Sequence, residues 1–287
     1  LTIFTRRDDV ELEHVEVLAT GLDHPEGVAW DPEGTVIAGG EAGQLYAITL
    51  DGEVTQRGTT DGFLFGVAVD GAGDVLACDF GRACLARVSR AGEVTTVSTG
   101  TDERSMAVPN MVVVDDRGGL FVTDSGQWGD DDGVIYRVDG SGTTIWSTDV
   151  PAFPNGACLT AAGDALLVVE SRARRVVRVP IGADGAAGSP TGVADLTGSQ
   201  PDGIAVAADG TMFVGCYRPD RVYRIEPGGA PEVFLDDPDG VVLNQPANVA
   251  FIGPGLDRLA ISSLGGWSIS LVDPGTTGLA LRIPGRP

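Results

Sequence analysis

Apolar residues in this chain come in short runs that break at Gly, Asp or Pro, and the breaks recur in one order. Residues 27–31 (Gly-Val-Ala-Trp-Asp) predict a first strand and Pro32-Glu33-Gly34 a turn. Residues 35–40, 44–49 and 53–57 then predict three more strands. Counterparts of the first turn stand at 70–73, 115–118, 161–164, 208–210 and 253–256. Most carry Asp and Gly, the residues of tight hairpins, because Gly accepts positive φ and Asp caps the turning backbone. Runs such as 112–114, 120–122, 165–169 and 212–214 have strand length and are too short for helices.

Each group of four strands opens on the same phrase: a Pro or loop residue, one variable slot, usually a Gly, then the apolar run. The slots are Glu26, Phe65, Asn110, Asn155, Asp202 and Ala247. The segments start near residues 24, 63, 108, 153, 200 and 245, a period of about 40 to 47 residues, which is the range of propeller blades. Four strands per segment and six segments predict an all-β, six-bladed β-propeller, expected to fill residues 1–287 as one domain. Residues 15–22 stand where the outer strand of a blade belongs, just before the first phrase, while the sixth segment has no clear fourth strand. The expectation is an N-terminal strand that completes the last blade and leaves no open edge.

Composition removes several function classes. The formal charge of -22 repels a phosphate backbone, so nucleic acid is not an expected partner. No Lys occurs, and all 19 basic residues are Arg, which excludes lysine-based covalent chemistry. The two histidines, His14 and His24, are too few for a three-histidine zinc site, and a Ser-His-Asp triad would need one of them. Cys78, Cys84, Cys158 and Cys216 form no CxxC pair and read as buried free thiols, with a Cys78–Cys84 bridge as the alternative. With no signal-peptide pattern and no apolar run near the ~18 residues of a membrane helix, a soluble cytoplasmic protein without a membrane partner is expected.

The slots carry the candidate chemistry. The first strand of a propeller blade is innermost, so residues at its start line one mouth of the central channel. Glu26, Asn110, Asn155 and Asp202 are expected to face one another there, an all-oxygen set of two carboxylates and two amides. Hard oxygen donors suit Ca²⁺ better than Zn²⁺, with Mg²⁺ and Mn²⁺ as further candidates. Phe65 and Ala247 leave a gap through which a small-molecule substrate would reach the ion. Antiparallel pairing predicts a second ring about 14–15 positions later, at Glu41, Asp79, Asp124, Glu170 and Tyr217, able to orient the first. The acidic run 129–133 after Trp128 reads either as a solvated loop or as part of the pocket.

The phrases Pro25-Glu26-Gly27-Val28-Ala29-Trp30-Asp31, Pro109-Asn110 with Phe121-Val122-Thr123-Asp124, Pro154-Asn155-Gly156 and Pro201-Asp202-Gly203 resemble the SMP-30/gluconolactonase/LRE (regucalcin-like) family across residues 15–275. That resemblance implies one divalent metal at the channel mouth, with Glu26, Asn155 and Asp202 as ligands and Asn110 as a fourth ligand or a substrate contact. It implies a metal-dependent hydrolase, a lactonase first. Phosphotriester hydrolysis on the same scaffold and a non-enzymatic binding propeller with a structural metal are the alternatives. Asp202 is the implied general base, with Glu41, Asp124 and Glu170 as other candidates. Met111 stands where many members carry Asp, and Phe65, Trp128, Tyr217 and Trp267 would give the pocket a less polar wall.

Overall fold

The middle strands of the repeats are apolar on both faces, and this dictates how the sheets pack. Val75–Asp79, Leu120–Asp124 and Ala165–Glu170 are buried at every position. Strands like these need cover on both sides, which a ring of sheets packed face to face supplies. The computed structural model describes residues 12–282 and has this form. Six four-stranded antiparallel sheets make six blades. Blade 1, for example, runs Val28–Asp31, Thr35–Gly39, Gln44–Thr49 and Val54–Thr59 from the inside outwards.

The innermost strands of blades 2 to 6 are Leu64–Val69, Pro109–Val114, Pro154–Leu159, Pro201–Val206 and Pro246–Ile252. Each packs against the next, and the sixth packs against the first, so the ring closes. The sixth sheet takes its outer strand, Glu16–Thr20, from the other end of the chain, antiparallel to Ser268–Val272. The only helical element among the described residues is a three-residue 3₁₀ turn at Leu12–His14, and no helix there is long and apolar enough to cross a membrane.

There is no single core. Six apolar clusters occupy the six seams between neighbouring blades. In the first seam, for instance, Ile37 and Leu45 meet Leu64, Val67 and Val75. The hairpin between the first two strands of each blade turns as the residue pattern predicts. Gly73 and Gly118, at φ 79° and 81°, take the left-handed conformation that other residues resist, and their N–H groups close the turns onto Asp70 and Asp115. All four cysteines are free.

One feature of the strands differs from expectation. In blades 2 to 6 the slot residue lies inside the innermost strand, not ahead of it, and the pairing register shifts there. In the fourth blade Pro154 pairs with Glu170 but Ala157 with Val168, so Asn155 and Gly156 stand opposite Val169 alone and one extra residue bulges out. A bulge re-aims a side chain that a regular pleat would point into a seam. The reason for the Gly after the slot also changes. A Cβ at Gly27 would stand 2.1 Å from the Phe65 carbonyl oxygen, and one at Gly156 would stand 2.6 Å from that of Asp202. These glycines let adjacent phrases touch backbone to backbone around the axis.

Candidate metal centre at the channel mouth

The bulges leave carbonyl groups without a ladder partner, and hydroxyls from the neighbouring blade satisfy them. Ser125 Oγ donates to the Pro154 carbonyl at 2.8 Å and Thr123 Oγ1 to that of Asn155 at 2.8 Å. Ser171 Oγ donates to Pro201 at 2.7 Å, and Ser262 Oγ donates to the Glu26 carbonyl at 2.5 Å. This belt of hydroxyls holds the phrases of blades 4, 5 and 1 in place. Nothing in the linear pattern marks it: Ser125 and Ser171 follow a second-ring acid, Thr123 precedes one, and Ser262 has none beside it.

Within that frame Glu26, Asn110, Asn155 and Asp202 are all buried. Glu26 and Asp202 come from blades 1 and 5, which do not touch; the blade between them carries the small Ala247 in its slot. Asp202 nevertheless acts on Glu26. Burial raises the Glu26 carboxyl well above the usual range, and the nearby Asp202 charge raises it further. Burial pushes Asp202 up to about 7, while the Asn155 side chain beside it pulls the other way by hydrogen bonding. Asn155 Nδ2 also donates to Ser171 Oγ at 3.0 Å, so its amide protons are engaged and its carbonyl oxygen is left as an acceptor.

The second-ring candidates separate into three kinds. Tyr217 is half-buried at the mouth, and its phenol is raised by burial and by the charges of Asp202 and Glu26. Asp124 and Glu170 are fully buried and grip backbone. Asp124 accepts from Ala107 N at 2.7 Å and Val108 N at 3.0 Å; Glu170 accepts from Ala152 N at 3.2 Å and from Arg175. Each thereby fixes the chain leading into Pro109-Asn110 or Pro154-Asn155, and Asp79 likewise accepts from Arg82 N at 3.0 Å. Glu41 turns away from the axis. It is exposed and meets His24 Nδ1 at 2.8 Å, with Asp23 Oδ1 3.0 Å from the same nitrogen.

The wall of the mouth is aromatic. Phe65 stacks on Phe80 at 4.9 Å and meets Phe63 edge-on at 4.8 Å. Trp128, itself exposed, sits edge-on to Phe153 at 4.7 Å, and Trp267 packs on the His24 ring at 4.8 Å. The acidic run beside Trp128 is tied down, since Asp131 pairs with Arg172, and Asp132 Oδ1 accepts from Gln127 N at 2.8 Å.

The donor set fits a hard divalent cation. Burial raises the proton affinity of both carboxylates and the Asp202 charge raises that of Glu26 further, two amides offer carbonyl oxygens, and among the described residues neither Glu26 nor Asp202 forms an ion pair. Asp23, His24 and Glu41 also bring three ligand atoms within 4.8 Å of one another, but on the partly exposed rim, where the carboxylates already meet the imidazole.

Fold and mouth together define a six-bladed propeller with an acidic, oxygen-lined channel entrance. The chain belongs to the SMP-30/gluconolactonase/LRE-like family, whose model matches residues 24–265. Among solved structures it is similar to a gluconolactonase from Xanthomonas campestris, with a TM-score of 0.78 and 20% identity over 91% of this chain and 89% of that one. A regucalcin from Agrobacterium tumefaciens, described as a calcium-binding protein, gives a TM-score of 0.76 and 20% identity, covering 94% and 96%. A luciferin-regenerating enzyme gives 0.78 and 18%, covering 94% and 98%. At these identities the likeness is one of fold. No curated protein sequence matches the chain.

Proposed function

We propose that this protein is a divalent-metal-dependent hydrolase, a lactonase, with Ca²⁺ as the metal and Glu26, Asn110, Asn155 and Asp202 as the residues that hold it. The observation that carries this reading is the pair of buried carboxylates, Glu26 and Asp202, brought together across the channel beside Asn155 without an ion-pair partner among the described residues. Two such charges are costly in a buried site unless a cation balances them. The family, which includes gluconolactonase and calcium-binding regucalcin among similar folds, supports the same reading.

When bound, the cation would polarise the lactone carbonyl and balance the carboxylate charge. Asp202 takes a proton from water as the water oxygen adds to the carbonyl carbon. The ring C–O bond then breaks, and the proton passes to the released alkoxide, giving a hydroxy acid. Asn155, held by Ser171, keeps Asp202 oriented. The Ala247 and Phe65 slots, on either side of Glu26, carry no polar side chain, and the Phe63, Phe65 and Phe80 rings shield the reacting group from bulk water.

Metal analysis followed by pH-drop hydrolysis of a lactone panel tests the proposal. The expected result is about one ion per chain and lactone opening that stops with chelator. A chain that binds no metal overturns it. A chain that holds metal but opens no lactone is assigned instead to phosphotriester hydrolysis or to binding alone, according to whether a phosphotriester is cleaved. Asp202→Asn with metal retained and activity intact removes Asp202 from the role of base.

A further inference from the structure

Beneath the slots the channel changes character. Three residues after each slot, the regular pleat points a side chain at the axis: Ala29, Ala68, Val113, Cys158, Ala205 and Ala250. Five of the six are only part-buried although they belong to the innermost strands, so they face open space. Four of the six are Ala, and none is larger than Val. A ring of small residues at this level widens the lumen where six larger residues would fill it. The resulting cavity measures about 230 Å³ and touches all six innermost strands. Apart from the Trp30 indole, the Cys158 thiol and the strap residue Arg282, every side chain lining it is a hydrocarbon or thioether.

The floor of this cavity is a segment that the repeat pattern does not anticipate. Residues 276–282 leave the sixth blade and cross the face opposite the slots. The Thr277 carbonyl accepts from Ala208 N at 2.8 Å, Gly278 N donates to Leu256 O at 2.7 Å, and Leu279 N donates to Val206 O at 3.3 Å. Arg282 anchors the far end, donating to the carbonyls of Thr160 and Ala161 at 3.0 Å each and pairing with Asp116. Leu279 and Leu281 are thereby laid against the lumen.

We propose that this lumen is a second ligand site, coaxial with the mouth and chemically its opposite, which takes one small uncharged hydrocarbon-like molecule such as a monocyclic aromatic or a short alkyl chain. Water in a cavity needs two to four polar partners, and among the lining side chains only Trp30, Cys158 and Arg282 carry a polar group, so most of the wall favours an apolar guest. Apolar cavities of about 150 Å³ in other proteins bind benzene; this lumen is larger and open to solvent on one side, which gives a slightly larger guest both room and an entrance. The inference is independent of the lactonase reading, since no slot residue enters it.

Thermal unfolding with benzene, n-butylbenzene and, as a polar control, phenol tests it. The expected result is a rise in Tm of about 2–4 °C at ten times the dissociation constant of a hydrocarbon guest, with a smaller rise for phenol. The rise should persist in Asp202→Asn, which alters the mouth alone, and disappear in Ala68→Leu and Ala250→Leu, which fill the lumen. Should a filled variant fail to fold, protection of Cys158 provides a second readout. Its thiol alone among the four is not fully enclosed, so a small neutral methanethiosulfonate should modify it first, and hydrocarbon should slow that modification several-fold. No shift with either hydrocarbon, equal shifts in the filled variants, loss of the shift in Asp202→Asn, or unaltered Cys158 modification would each overturn the proposal.

Discussion

The two ends of one channel are built from the same six strands and have opposite chemistry. At the mouth the strands are irregular: register shifts fall at Asn110, Asn155 and Asp202, and hydroxyls from the adjacent blade secure the displaced backbone of the last two. Three residues further on the pleat is regular and presents Ala, Val or Cys. Three of the four polar slots stand where the ladder is broken, and the fourth, Glu26, stands ahead of a regular first strand with its carbonyl held by Ser262. A site of this kind depends on its supports as much as on its donors, whereas the lumen depends only on side-chain volume.

The largest expected effect at the mouth is chemical. Asp202→Asn should lower lactone hydrolysis by about 10²–10⁴-fold, as loss of a general base does, while Ala68→Leu below leaves it within a few-fold. Steady-state rates on both variants check this contrast.

The pH dependence of the metal-free protein comes next. Asp202 titrates near 7 when folded and at its ordinary value of 3.8 when unfolded, so the folded chain binds more protons between those values. Its contribution to stability is present below pH 3.8 and is lost as pH rises through 7. Glu26 shifts in the same direction. Stability of the chelated protein should therefore fall by a few kcal/mol over that window, and saturating Ca²⁺, whose binding strengthens as protons leave, should reverse the trend. Denaturant melts at several pH values, with and without Ca²⁺, measure both slopes.

Backbone approach around the mouth gives the third prediction. Gly27→Ala places a Cβ against the Phe65 carbonyl and should cost about 3 kcal/mol, whereas Ala29→Gly in the lumen should cost about 1 kcal/mol through backbone entropy and lost packing. Equal costs would mean the two levels are packed alike. Last, Arg282→Ala frees the end of the strap and should lower stability by about 1 kcal/mol, leaving hydrolysis unchanged. Loss of hydrolysis in that variant would show that floor and mouth are coupled.

Much of this was legible in the residues. The Asp/Gly hairpins and the period of the phrase point directly to blades, because tight turns restrict residue choice at each position. The slots were legible for a related reason: a position that admits Phe65 and Ala247 need not be polar, so four oxygen-bearing residues there require another explanation. Glu41 and Asp124 hold equivalent places in the repeat, yet one pairs with His24 on the rim and the other grips the amides of Ala107 and Val108. Which partner a strand-end acid finds depends on loops that differ from blade to blade. The hydroxyls of Ser125, Ser171 and Ser262 carry no signal, since Ser is unremarkable at any strand end.

Local rules thus determined the blades, their number and the identity of the slot residues, because turn chemistry and strand pattern act within a few residues of one another. Tertiary structure alone decided that the Asp202 charge acts on Glu26, that the register shifts at the slots, and that residues 276–282 floor the channel. These outcomes join residues up to 176 positions apart, as with Glu26 and Asp202. Only closure of the ring brings such residues within reach, and no local preference encodes it.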